Sequence, residues 1–122
     1  WPQLQGSRES TMSTIQKADD VQGKEVTIPG GKGITFRMLV AGPNFRMRQF
    51  DLAKGGNTPK HVHAWEHEVY VLAGQGELYT PSGYKPVSAG DCILVPCNEE
   101  HQFRNTGENV FKFLCLVPNS AN

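Results

Sequence analysis

Turn signals arrive so often in this chain that no element can be long. From Lys24 on, "KEVTI", "ITFRMLVA", "NFRMRQFDLA", "HEVYVLA", "GELYT", "YKPVS", "CILVP", "HQFRN" and "VFKFLCLVP" are each stopped by clusters such as "GGKG", "KGGNTP", "PSG", "AGD" and "TGEN". Glycine frees the backbone for turn conformations and proline withdraws a ladder donor, so the 13 glycines and 8 prolines act as punctuation. No sustained 3.6-residue apolar period survives between them, which excludes a helical bundle. Nine short strands at nearly even spacing predict an all-β fold, a sandwich or barrel, in which closing the sheet removes vulnerable edges. A chain of 122 residues supplies one hydrophobic core, hence one domain and one site.

Composition narrows the ligand. Twelve Lys and Arg balance twelve Asp and Glu with no dense basic run, so neither a nucleic-acid surface nor a membrane-surface helix is supported. A small molecule is the expected ligand. No apolar run approaches the roughly 18 to 20 residues that span a bilayer, and no secretory leader pattern is present. Cys92, Cys97 and Cys115 are odd in number and lack CxxC spacing, which fits reduced thiols in a cytoplasm; packing alone accounts for them. Residues 1–11, "WPQLQGSREST", are polar without a usable period and read as a flexible arm or tag remnant ahead of a domain over 12–122.

Three of the four histidines crowd into "HVHAWEHE". In a strand alternate side chains share a face, so His61 and His63 project together, and His67, an even step further, joins them if the strand stays regular. Glu66 and Glu68 then point away. His101 opens another candidate strand, which a barrel can bring back across a cavity. Clustered imidazoles repel when protonated and are costly to bury unpartnered, whereas a divalent cation uses their lone pairs. A metal centre is the economical reading.

The flanking residues sharpen it. Gly55 stands six before His61, three residues separate His63 from His67, and six separate His67 from Gly74. Gly90 is followed by five residues and Pro96, with His101 five later and Asn105 four beyond. These spacings resemble the two motifs of the cupin superfamily over about residues 34–117. "HAWEHEVYVL" and "NEEHQFRN" bring the chain close to the small single-domain bacterial cupins called oxalate-decarboxylase-like. Two positions depart from the pattern. His67 stands where the motif glutamate is usual, with Glu68 as the alternative if the gap is one residue longer; strand parity and the count to Gly74 favour His67. Asn98 replaces a motif glycine, and asparagine tolerates the left-handed conformation such a turn needs.

The resemblance implies a double-stranded β-helix, a jelly-roll-like antiparallel barrel, with one divalent ion per chain held by His61, His63, His67 and His101. Manganese is the first expectation for that ion, with iron, nickel or zinc as alternatives. About two open positions would remain on an octahedral ion, and four neutral imidazoles leave its charge uncompensated, so a small anion should bind. It also implies a homodimer in which residues 24–41 meet the partner. The expected function is a metal-dependent decarboxylase, lyase or isomerase acting on a small carboxylate or sugar acid. An Fe-dependent dioxygenase and a non-catalytic module that binds or senses a small anion are the alternatives.

No catalytic residue is fixed by this reading. Arg46 and Arg48 alternate with Phe45 and Met47, so one pair faces the barrel interior; an inward Arg48 could clamp a carboxylate. Glu68, as a possible ligand, and Glu100, in the loop before His101, are the other candidates. Phe36, Met38, Val40, Phe50, Leu52, Val69, Val71, Ile93, Val95, Phe111, Phe113 and Leu116 are expected to form core and interface, with Trp65 in the barrel wall.

Overall fold

The computed structural model of the protein describes residues 12–121; the segment read as an arm or tag remnant lies outside them. Among the described residues a 3-10 turn at Ala18–Asp20 precedes nine strands: β1 (Lys24–Val26), β2 (Lys32–Ala41), β3 (Phe45–Asn57), β4 (His67–Ala73), β5 (Gln75–Thr80), β6 (Gly83–Ser88), β7 (Cys92–Val95), β8 (Gln102–Asn105) and β9 (Phe111–Pro118). All the pairings are antiparallel. The ladder runs β6-β5-β8-β3-β9-β4-β7, with β2 also on β3 and β1 on β2. It forms one curled sheet whose end strands β6 and β7 are not paired to each other in that ladder.

The curl depends on β3. "KGGN" reads as a turn, yet the structure carries β3 straight through it to Asn57. Gly55 takes φ +77°, and at Gly56 a side chain would meet the carbonyl oxygens of Lys32 and Ala53 within 3 Å. Glycine therefore bends the strand here instead of ending it. The first part of β3 pairs β9 from Phe45↔Pro118 to Leu52↔Phe111, and beyond the bend Asn57 pairs Arg104 of β8. One strand thus joins both halves of the sheet.

Alternation fills the interior. Phe111, Phe113, Cys115 and Val117 of β9 are buried, and so are Val69 and Val71 of β4, Leu52 of β3, Leu78 of β5, Val95 of β7 and Phe103 of β8. Phe113 packs against Phe50, Phe103 and Phe111 at centroid separations of 5.5, 4.6 and 5.4 Å. Leu52 and Phe111 expose nothing, and complete burial of side chains this size is worth about 1.5–3 kcal/mol each. Val40 is on the outside and Leu116 only half-buried, so of the residues expected in core and interface these two lie on the outer face. Among the described residues no helix is long and apolar enough to cross a membrane.

Candidate metal centre

The four histidines meet because two distant loops are stitched together. His61 and His101 exchange backbone N–H···O bonds of 2.9 Å in both directions, an isolated antiparallel bridge. Thr58 donates its N–H to the Phe103 carbonyl, and Phe103 donates back to the Thr58 hydroxyl at 2.9 Å. Asn98, at φ +63°, holds the turn conformation expected of it and donates its N–H to the His63 carbonyl. Asn105 ties the β8–β9 turn to β3: its Nδ2 donates to the carbonyls of Leu52 and Asn109, and its Oδ1 accepts from Gly107. Both spaced motifs therefore act through the backbone as much as through their ligands.

His63, His67 and His101 converge. Their rings sit at the corners of a nearly equilateral triangle, with centroids 5.2, 5.2 and 5.0 Å apart, and one ring nitrogen from each lies within 4.8 Å of the others. His61 stands beside this triad, not in it: its Nδ1 is 3.2 Å from His63 Nε2, but its ring centroid is 6.4 Å from that of His101. The expectation of four converging histidines is corrected to three. The His61 ring stands edge-on to His63, with its Nδ1 beside that ring and outside the group of three converging nitrogens.

Each converging ring is held by a neighbour. Trp65 lies flat on His63, with centroids 4.5 Å apart and planes 8° from parallel. The Nδ1 of His101 is 2.9 Å from the Glu99 carbonyl, which can only accept, so the proton sits on Nδ1 and the Nε2 lone pair is free. His67 Nδ1 is 3.1 Å from the Sγ of Cys115. Its Nε2 is buried without a hydrogen-bond partner among the described residues. An orphaned buried nitrogen aimed at two other imidazoles is a donor set that fits a divalent cation.

Electrostatics agree. Burial first, then repulsion of a charged ring by His101 and Arg48, lowers the His67 imidazole from 6.5 to about 3. Burial and the neighbouring histidines lower His63 to about 4, and burial also lowers His61. These rings are neutral at physiological pH, the state a ligand requires.

The other expected site residues fall as follows. His67 is buried on the inner face of β4, and Glu68 is exposed on the outer one, as strand parity requires. Glu100 is half-buried in the loop before His101. Arg46 and Arg48 are the inward pair: Arg46 donates to the Ala121 carbonyl, while Arg48 reaches the cavity wall and donates to Cys115 Sγ at 3.0 Å. Packing alone does not account for Cys115. Its register opposite Arg48 on β3, on the inward parity of β9, is the signal that could have singled it out.

The triad opens on a cavity of about 340 Å³. Val26, Ile28, Ile34, Phe50, Phe103 and Phe113 give it an apolar wall, while His61, Arg48 and Thr58 supply polar groups beside the triad. That volume lies toward the lower end of the roughly 300–1,000 Å³ usual for small-molecule sites.

Comparison with known proteins follows the same lines. Residues 48–117 match the family described as "Cupin domain". The polyketide cyclase RemF from Streptomyces resistomycificus is 32% identical, with 90% of this chain and 82% of that one superposed at a TM-score of 0.84. A predicted oxalate decarboxylase from Thermotoga maritima, 21% identical, shares the fold over 86% of this chain and 98% of its own at a TM-score of 0.79. The 1-methylthio-D-xylulose 5-phosphate methylsulfurylase of Rhodospirillum rubrum is 27% identical over 88 residues, 70% of this chain and 56% of that protein. Against the curated relatives it matches, the chain spans between 35% and 56% of their length.

Proposed function

The chain belongs to the cupin family, and within it we propose a metal-dependent enzyme that acts on an apolar, carbonyl-rich substrate by ring closure or isomerisation. The observation that carries this reading is the wall of the cavity. A sugar acid or oxalate would leave the surface of Ile34, Phe50, Phe103 and Phe113 without a partner, whereas a ligand of the polyketide type buries an apolar body there. Its oxygens would then face the histidines. The likeness to a polyketide cyclase at 32% identity over nine-tenths of the chain supports the same substrate class.

His63, His67 and His101 would hold the ion, and we assign His61 as a fourth ligand. Bonds of about 2.1 Å at right angles put neighbouring donors about 3 Å apart, and His61 Nδ1 and His63 Nε2 are separated by 3.2 Å. With only imidazole donors, zinc, iron or nickel suit the set better than the manganese expected from the family, which favours carboxylate oxygen. Glu68, the alternative ligand, faces outward, and Glu66 on the other side of His67 is exposed too. A divalent ion bound there would supply Lewis acidity toward a carbonyl oxygen. The chain's own residues bind and orient the substrate: the apolar wall excludes water, Trp65 braces His63, and Arg48 places a fixed positive charge at the cavity wall.

A second reading, the small carboxylate expected from the sequence, is favoured by one observation: the Arg48 guanidinium lines the cavity. Incubating zinc-loaded protein with an aryl poly-β-ketone and, separately, with oxalate and galacturonate tests the two. Ring closure of the ketone, followed by its new aromatic absorbance and lost in His67→Ala, is the expected result. Turnover of the acids alone would overturn the apolar-substrate reading.

A further inference from the structure

Two of the converging histidines are oriented by the same device with different acceptors. His101 is fixed by a backbone carbonyl, which leaves no choice of tautomer. His67 has no such carbonyl; the atom against its Nδ1 is the Sγ of Cys115, 3.1 Å away and nearly fully buried on β9. That sulfur already accepts a hydrogen bond from Arg48 at 3.0 Å, and a guanidinium can only donate.

We propose that Cys115 is a positioning residue for the metal centre: its sulfur accepts the Nδ1–H of His67 and so turns the Nε2 lone pair toward the point shared by His63 and His101. The opposite polarity, with the thiol donating to Nδ1, would put the ring proton on Nε2. That N–H would be buried facing the other imidazoles with no hydrogen-bond acceptor among the described residues. An unsatisfied buried donor is costly, and that ring could not ligate through Nε2. Arg48 holds the sulfur from the β3 side, so the chain Arg48–Cys115–His67 links a buried cation to a ligand through one polarisable atom. The assignment rests on the metal-centre reading for its purpose, but the tautomer it fixes belongs to the protein without metal.

The test begins with that tautomer. Long-range ¹H–¹⁵N spectra of metal-free protein at pH 7.5 should show His67 protonated at Nδ1. Cys115→Val, which keeps bulk and removes the acceptor, should give a mixture of tautomers and weaken zinc binding by about ten- to a hundredfold. Cys115→Ser, which restores an acceptor, should recover the Nδ1–H form and most of the affinity. A wild-type His67 protonated at Nε2 would overturn the proposal, as would a Cys115→Val variant with unchanged tautomer and zinc affinity. If the valine variant does not fold, the wild-type and serine spectra decide. If no divalent ion binds at all, the metal reading fails while the tautomer still decides the role of Cys115.

Discussion

His61 and His101, forty positions apart in the sequence, hydrogen-bond to each other through both backbones while their side chains border the same cavity. The bridge separates folding from ligation. Replacing either side chain leaves the backbone bonds in place, so His61→Ala should fold with little change in melting temperature without metal. Its zinc affinity should nevertheless fall. His67→Ala removes a converging ligand and should cost more than the roughly 10- to 100-fold that losing an outer partner costs. Glu68→Ala should leave affinity unchanged, because Glu68 faces solvent. Titration with zinc against a chromophoric chelator measures all three; an effect at Glu68 with none at His67 would reverse the ligand assignment.

Protons should compete only weakly for the His63 and His67 rings. His67 and His63 are held at about 3 and about 4 in the fold against 6.5 in an unstructured chain. As pH falls below 6.5 the unfolded chain takes up protons that the folded one refuses, so unfolding is favoured. The stability these two rings allow is complete above pH 6.5 and is lost as pH falls toward their folded values. Urea midpoints of metal-free protein should therefore decline between pH 7 and about pH 4, and less steeply in a His63→Ala, His67→Ala double variant. Equal slopes for the two would contradict the depressed values.

Gly74 closes the first motif for a steric reason. Its φ is +89°, and a Cβ there would lie 2.6 Å from the Val110 carbonyl oxygen. Gly74→Ala should destabilise the fold by about 1–3 kcal/mol or more through left-handed strain and that clash. Gly83→Ala, also at positive φ but with open space around it, should cost less. Chemical denaturation of both variants makes the comparison.

The outer face of the sheet predicts self-association. Val40, Met47, Leu116 and Leu94 fall in one register row across β2, β3, β9 and β7, interrupted only by Glu68 of β4. Tyr70 and Leu72 lie on the same face of β4, 44% and 40% exposed. Four apolar residues in one row, with Tyr70 and Leu72 beside it, are more than scattered surface residues, and we propose a second copy of the chain as their partner. Light scattering at micromolar concentration should show a dimer that Leu94→Glu dissociates; a monomer at all concentrations would remove the proposal.

Much of this architecture could be read from residues alone, and the failures share a cause. Period-2 alternation placed "HEVYVLA" within the limits of β4 and put His67 inside and Glu68 outside. Parity says which residues share a face, but not which face the curl encloses. That is why Arg46 and Arg48 can be paired but not turned inward, and why Val40 and Leu116 cannot be divided between core and interface. The glycines of "KGGN" have the chemistry of a turn, and only the pairing of β3 with both β8 and β9 shows that they bend a continuing strand. Cys115 is invisible to local rules because its meaning lies in two cross-strand neighbours. Spacing fixes backbone positions, not ring orientations, so it does not show that the His61 ring stands beside the other three.

The central claim is that this constellation holds a metal. Elemental mass spectrometry of protein made without a polyhistidine tag and never exposed to chelator tests it most directly. The account predicts about one zinc, iron or nickel ion per chain, lost in His67→Ala. Negligible metal, in protein that also fails to take up zinc, iron, nickel or manganese when supplied, would contradict it.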